Sequence, residues 1–380
     1  MQYIQPDKIR IGVLGGGQLG RMMIQNATNL NLPICCLDPD ANAPCKHIAT
    51  EFTVGSLQDY DTVYAFGADK DIITIEIENV NVAALKQLQS EGKKVFPQPE
   101  IIEMIQDKGL QKMFYQQHSI PSPAFFLVKD KSEIAAHAAA FPVFQKMRKG
   151  GYDGKGVVIL RSADNLEAAF DAPSVLESLV DFDKEISVIV ARNERGDINC
   201  FPATEALFNP EANLVEFLFS PATITDSVEQ QANDIAIKLA TELKIVGILA
   251  VEMFVTKDGT VLVNEIAPRA HNSGHHSIEG NVTSQFEQHI RAICNLPLGD
   301  TSITRPAVMI NLLGEKGHEG AARYVGLEEA LSQSGVYVHL YGKAITKPFR
   351  KMGHITVVDN DLSVATTKAK ALMNLVKIIS

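Results

Sequence analysis

Apolar positions in the first hundred residues alternate between two periodicities. Ile9 to Leu14 is a short β-branched run, a glycine-rich turn follows, and Gln18 to Leu30 predicts a helix. Pro33 to Asp38 and Ile72 to Ile77 read as further strands, and the alternation predicts a parallel α/β sheet. From about Gln106 the pattern changes. A helix near Lys108 to Gln117 precedes the break Pro121-Ser122-Pro123, and a strand, a helix (Ser132 to Phe141) and a strand ending near Lys146 follow. Glu185 to Ala191, Ile198 to Pro202 and Leu214 to Phe219 read as antiparallel strands, and Ser227 to Leu243 as a long helix. Asp258-Gly259 marks a hairpin between Gly247 to Val255 and Thr260 to Asn264. After Leu296-Pro297 come strands near Val308, Val336 and Ile355, and a helix from Ser363 to Ile378 closes the chain.

The 380 residues suggest two or three domains. With 46% hydrophobic and 21% charged residues, the composition is that of an ordinary globular protein. A net charge of -10 argues against a sequence-independent grip on nucleic acid, although a local basic cluster can still hold a phosphorylated ligand. The cysteines Cys35, Cys36, Cys45, Cys200 and Cys294 form no CxxC pair and suit reduced thiols. Met1 to Arg10 lacks an apolar signal core, and no apolar run approaches the ~20 residues that span a bilayer. A cytoplasmic enzyme without membrane or nucleic-acid partners is the expectation.

Gly15-Gly16-Gly17-Gln18-Leu19-Gly20 satisfies GxGxxG between a strand and a helix, and Asp38 ends the next strand. That is the dinucleotide fingerprint, acidic residue included, and it makes an NAD-dependent dehydrogenase one reading. The other is a turn that packs the helix against the sheet and leaves its N-terminus to another ligand.

Later motifs carry different chemistry. Lys146 to Gly156 (KMRKGGYDGKG) holds four glycines within seven residues, which lets backbone N–H groups fold over phosphates, but it is not a Walker A loop. Glu252 and Glu265 flank the hairpin, and adjacent antiparallel strands can put both carboxylates on one face. With Asn264 they make a hard oxygen site that suits Mg²⁺ shared with nucleotide phosphates. Glu252 sits in an apolar run, where a lone carboxylate is costly. Asn264 to His276 is a polar loop with three histidines but no HExxH spacing, better suited to anions than to zinc. Arg269 there can hold an anionic intermediate. Lys343, Lys347, Arg350 and Lys351 form a basic cluster suited to a substrate phosphate.

Taken together in this order, Gly15 to Gly20, Glu76-Ile77-Glu78-Asn79, Gly150 to Gly156, Asn264 to His276 and Arg350 to His354 resemble the ATP-grasp superfamily. Within it they are most similar to the 5-(carboxyamino)imidazole ribonucleotide synthases. The resemblance implies an α/β and α+β multidomain fold: a biotin-carboxylase-like N-terminal α/β domain (1–105), an ATP-grasp domain with a mobile lid (106–296) and a small C-terminal domain (297–380).

The resemblance also implies the ligands. Lys108 and Lys146 would contact ATP phosphates under a loop of Gly151, Tyr152, Asp153, Gly154, Lys155, Gly156 and Val157. Glu177, Ser178, Leu179 and Val180 would form the adenine hinge, Glu185 would meet the ribose, and Phe208 and Asn264 would also lie at the nucleotide. Glu252 and Glu265 would hold Mg²⁺. Gln18, Leu19, Glu76, Asn272, Ser273, Lys343, Arg350 and Lys351 would surround aminoimidazole ribonucleotide. Arg269, His271, Tyr152 and Lys155 would sit nearest a carboxyphosphate made from ATP and bicarbonate. A homodimer is implied, with its product passed to carboxyaminoimidazole ribonucleotide mutase in purine synthesis. Lys108 stands where the family favours arginine, Met147 where it favours threonine, Ala206 where it favours asparagine and Phe208 where it favours histidine. A formate-dependent glycinamide ribonucleotide transformylase, a biotin carboxylase and a non-catalytic nucleotide-binding module are the alternatives.

Overall fold

The computed structural model describes residues 5–151, 156–162, 166–209 and 214–380. The strands Ile11–Leu14, Ile34–Asp38, Glu51–Val54, Ile72–Ile75 and Lys94–Val95 form a parallel sheet with Ile11–Leu14 at its centre, between Ile34–Asp38 and Ile72–Ile75. Every residue of Ile11–Leu14 and of Ile72–Ile75 is buried, which is why both are apolar in the sequence except for Thr74. Glu51–Val54 escapes that pattern because it is an edge strand with three of its four residues exposed.

A second sheet of nine strands is antiparallel throughout. Its main path runs Val261–Ala267, Gly247–Thr256, Phe182–Arg192, Thr204–Asn209, Leu214–Ser220, Ala307–Leu313, Lys351–Val358 and Val336–Leu340, with Ile198–Cys200 paired to Phe182–Arg192. The proposed C-terminal unit therefore has its own core around Val308, Ile310, Ile355 and Leu372, yet its strands continue the central sheet. A four-stranded antiparallel sheet, Phe125–Val128, Ser174–Ser178, Val143–Met147 and Val157–Leu160, stands apart. The glycine-rich segment lies in sequence between Val143–Met147 and Val157–Leu160, which pair with each other.

Helix Gln285–Ile293 locks the N-terminal sheet to the central one. Phe286, Ile290 and Ile293 share a core with Ile11, Val13 and Met22 on one side and Ile189 and Ile248 on the other. Two polar contacts reinforce this junction: Thr74 Oγ1 with His289 Nε2 at 2.9 Å, buried, and Ser284 Oγ with Asn26 Oδ1 at 2.8 Å, half-buried.

Two helix expectations need correction. The segment read as a helix from Ser132 to Phe141 is a run of 3₁₀ turns, Lys131–Ala140, broken at His137; its alanine-rich sequence buries Ile134 alone and lacks an apolar stripe. The C-terminal helix is Leu362–Leu375, and the chain then turns extended so that Lys377–Ile379 pairs with Arg323–Val325. The long helix is Asp226–Leu243, capped by the Thr225 side chain and ended by Lys244 in a left-handed conformation. Among the described residues no helix is long and apolar enough to cross a membrane.

Four histidines are packed into these junctions. Burial lowers the pKa of His276 and His289 to about 4, and lowers His275 and His354 well below the ordinary value. The unfolded chain then binds more protons between pH 6.5 and 4, so stability is full above that window and falls through it. We expect unfolding free energy, measured with denaturant, to drop by up to about 1.4 kcal/mol per pH unit for each histidine. A flat profile from pH 7 to 4.5 would show that these imidazoles are not held neutral.

Candidate active site

The tightest feature of the site begins with a β-bulge. Val255–Val261, Phe254–Leu262 and Met253–Val263 pair in regular register, and the register then shifts so that Glu252 faces Glu265. Asn264 is the extra residue. Without the bulge Glu252 would oppose Asn264; with it, two carboxylates meet head-on. Glu252 also faces Ser187 on the neighbouring strand, and Glu185 lies two residues from Ser187 on the same face. Three carboxylates therefore share one patch of sheet.

Their protonation shows the crowding. Burial, then Glu265 and Glu185, raises the Glu252 pKa to about 8. Burial and Glu265 raise Glu185 to about 7. Glu265 is instead lowered by Lys108, whose Nζ donates to its Oε2 at 3.2 Å. This geometry fits a divalent cation, which would relieve the repulsion that drives Glu252 up. Among the described residues no cluster of three or more His, Cys, Asp and Glu side chains could hold a metal ion, so further oxygen ligands would come from a bound molecule.

Next to the carboxylates is a small cavity lined by Lys108, Gln111, Lys112, Lys146, Val175, Glu177, Asn264 and Glu265. Lys108 opens helix Lys108–Gln117, whose N-cap Asp107 receives a bidentate contact from Arg148 at 2.7 and 2.8 Å. Lys146 Nζ donates to Glu177 Oε1 at 3.1 Å and to Asn264 Oδ1 at 3.3 Å. Ser178, Leu179 and Val180 lead from Glu177 toward Glu185, with the Leu179 side chain exposed. Phe208 is on the strand next to Glu185, two residues past its cross-strand partner Ala206. Gly151, Gly156 and Val157 flank the hairpin tip, and Gly156 needs its positive φ of 74°. Tyr152, Asp153, Gly154 and Lys155 lie outside the described residues.

Beyond the carboxylates lies the polar loop. Ser273 N donates to His271 Nδ1 at 3.3 Å, which leaves the proton on Nε2, 3.6 Å from Glu252 Oε1. Burial, then Arg269 and Lys351, lowers His271 to about 3, so it stands neutral as a hydrogen-bond donor. Ser273 Oγ bonds His271 Nδ1 at 2.9 Å and Ser187 Oγ at 2.8 Å, behind the imidazole. Asn272 pairs its amide reciprocally with Asn311 on a C-terminal strand. Arg269 is in ion-pair contact with Glu78 at 2.8 Å. Sequence reading left Glu78, Ser187 and Lys112 out of the site. The spacing of Glu76 and Glu78 was a usable signal; for the other two there was none.

The glycine turn sits at the carboxyl ends of the two central parallel strands, where such sheets bind ligands. Its N–H groups are already taken. Glu76 accepts from Gly17 N at 2.7 Å and Gly20 N at 2.5 Å, and Asp38 accepts from Gly16 N at 2.6 Å. A side chain at Gly15 or Gly17 would overlap Glu76, so the glycines make room for this carboxylate. Burial raises the Glu76 pKa, and the two backbone N–H groups oppose that rise. Gln18 and Leu19 begin the helix at the same point.

Across from Glu76, Lys343 Nζ donates to Lys351 O at 2.8 Å. Burial, then Arg350, lowers its pKa to about 8, with Glu76 opposing. Arg350 donates to Ile345 O at 2.6 Å. Lys351 is near enough for its charge to act on Glu252 and His271, so the basic cluster reaches from the glycine turn to the carboxylate patch.

The chain resembles known proteins along its whole length. Residues 8–106 match the ribonucleotide synthetase preATP-grasp domain, 113–286 the ATP-grasp domain and 307–368 the phosphoribosylaminoimidazole carboxylase C-terminal domain. It is 39% identical to the N5-carboxyaminoimidazole ribonucleotide synthase of Bacillus subtilis over 93% of this chain and 92% of that one. The crystal structure of the Thermotoga maritima N5-carboxyaminoimidazole ribonucleotide synthetase superposes with a TM-score of 0.90 at 44% identity, covering 98% of this chain and 99% of that one. The Aspergillus clavatus synthase, solved with ADP and 5-aminoimidazole ribonucleotide, gives 0.89 at 32% identity over 97% and 99%.

With Glu76 occupying the helix N-terminus, a pyrophosphate there would meet a carboxylate. Titration with NADH should give no saturable fluorescence change at micromolar cofactor. Saturable binding would show that Glu76 leaves the turn.

Proposed function

Since the chain belongs to the N5-carboxyaminoimidazole ribonucleotide synthases, a branch of the ATP-grasp ligases, we propose that it carboxylates the exocyclic amine of 5-aminoimidazole ribonucleotide in purine synthesis, using ATP and bicarbonate. The observation that carries this reading is the proximity of two charged clusters. A carboxylate patch ringed by Lys108 and Lys146 meets, through Lys351, a basic cluster facing Glu76.

In this reading Lys108 and Lys146 neutralise the ATP phosphates. Glu177 to Val180 receive adenine, Glu185 meets the ribose, Phe208 and Asn264 border the nucleotide, and the hairpin loop from Gly151 to Val157 covers it. Glu252 and Glu265 would hold Mg²⁺, which would screen charge on the phosphate oxygens. A bicarbonate oxygen bonds to the γ-phosphorus as the bond to the ADP oxygen breaks, giving carboxyphosphate. The amine of the ribonucleotide then bonds to the carboxyl carbon, phosphate leaves and the amine gives up a proton. The protein's work is alignment and charge neutralisation. Arg269 and neutral His271 line the intermediate as donors, with Tyr152 and Lys155 assigned there too. Ser273 and Asn272 hold that loop in place, by Ser187 and Asn311. Gln18, Leu19, Glu76, Lys343, Arg350 and Lys351 surround the ribonucleotide. The family resemblance supports a homodimer that passes its product to the mutase, and the five free thiols suit the cytoplasm.

The direct test is ADP release with and without each substrate. Turnover should need both the ribonucleotide and bicarbonate. Equal turnover with glycinamide ribonucleotide and formate would favour the transformylase. Glu252→Gln and Glu265→Gln should each nearly abolish ADP release while leaving a folded chain, and their effects should not add, because both serve one site. Near-normal turnover in either at saturating Mg²⁺ would refute the assignment. Arg350→Ala removes a charge-assisted contact of about 1.5–3 kcal/mol. It should raise KM for the ribonucleotide about tenfold to a hundredfold and leave KM for ATP nearly unchanged. An equal rise in both constants would put Arg350 at the nucleotide.

A further inference from the structure

The cavity that Lys146 lines is also lined by a more deeply buried cation, Lys112. Lys112 follows Lys108 by one helical turn, and its side chain is 4% exposed. Its Nζ stands 2.8 Å from Glu177 Oε2, and Glu177 is 2% exposed. The other oxygen of Glu177 accepts from Lys146 Nζ. Apart from that contact, Lys112 has the ring of Tyr115 at 5.6 Å from its ammonium group. One buried carboxylate thus serves two ammonium groups that differ in freedom. Lys112 is sealed in place, whereas Lys146 is 17% exposed and also reaches Asn264, the bulge residue beside Glu265.

We infer that Lys112 is a positioning residue that frees Lys146 for ATP. The inference rests on the reading above that Lys146 contacts the ATP phosphates. If Glu177 had Lys146 as its only cation, each turn of Lys146 toward a phosphate would strand a buried carboxylate. Stranding one member of a buried pair is strongly unfavourable. Lys112 keeps Glu177 neutralised, so Lys146 can exchange Glu177 and Asn264 for phosphate oxygens at little cost. Lys112 acts through Glu177, the carboxylate its ammonium group contacts. Burial lowers the Lys112 pKa, and the neighbouring Glu177 charge opposes that fall.

The test is Mg²⁺–ATP affinity by titration calorimetry on the full chain, with both Michaelis constants and melting temperatures alongside. Lys146→Met should weaken ATP binding about tenfold or more. Lys112→Met should weaken it to a similar degree and leave KM for the ribonucleotide near the wild-type value. Lys112→Met combined with Glu177→Gln should restore most of the ATP affinity, because Lys146 no longer faces a carboxylate and the hinge backbone is kept. A purely structural lysine predicts otherwise: Lys112→Met would raise both Michaelis constants together, or the double variant would regain melting temperature without regaining ATP affinity. Either result overturns the inference. Should Lys112→Met fail to fold, the double variant decides, since it buries no unpaired charge; ATP affinity as weak as that of Lys146→Met would sink the proposal. Normal ATP affinity in Lys146→Met removes the phosphate assignment itself, and the inference with it.

Discussion

Glu252 and Glu265 face each other across a hairpin, with Glu185 beside them, and most of the site can be understood as an answer to that repulsion. A β-bulge at Asn264 creates the encounter, since regular pairing would put an amide opposite Glu252. Lys108 keeps Glu265 ionised, whereas Glu252 is left with its pKa pushed up to about 8. Lys146 stands at the rim, shared between Glu177 and Asn264. Without a cation, the raised pKa of Glu252 lets a proton relieve the repulsion; a divalent cation bound there would do the same.

The same logic runs through the glycine turn. A helix N-terminus attracts an anion, and here the chain supplies its own in Glu76. Both oxygens of Glu76 are bonded to the turn, and its charge acts on Lys343 of the basic cluster opposite. The fingerprint of a dinucleotide site and a turn built around an internal carboxylate need the same glycines, because both require backbone to approach an anion closely.

Much of this was legible in the sequence. Helix Lys108–Gln117 and the Gly247–Thr256 hairpin followed from periodicity and from Asp258-Gly259, and the ordered motifs carried the family. Local pattern failed where local pattern is not what decides. The edge strand Glu51–Val54 is too polar to announce itself, and the alanine-rich 131–140 segment has no stripe to hold a full helix. Lys377–Ile379 becomes a strand because a distant partner, Arg323–Val325, needs pairing. In the site, the facing of Glu252 and Glu265 was foreseen in outline, but the bulge that causes it has no sequence signature. Lys112 could not be found because its role depends on a carboxylate sixty-five positions away. The partners of Asn272 and Ser273, which are Asn311, Ser187 and His271, are likewise distant in sequence or set by the local turn, and no pattern announces them.

The central claim is that the Glu252–Glu265 pair exists to share a divalent cation with a nucleotide. Thermal melting in ADP, with and without Mg²⁺, tests it without turnover. Mg²⁺ added to ADP should raise the melting temperature of the wild-type chain, since a ligand that binds only the folded state stabilises it. In the Glu252→Gln/Glu265→Gln double variant that Mg²⁺-dependent increment should vanish, while the protein remains folded. An increment of the same size in the double variant would contradict the account.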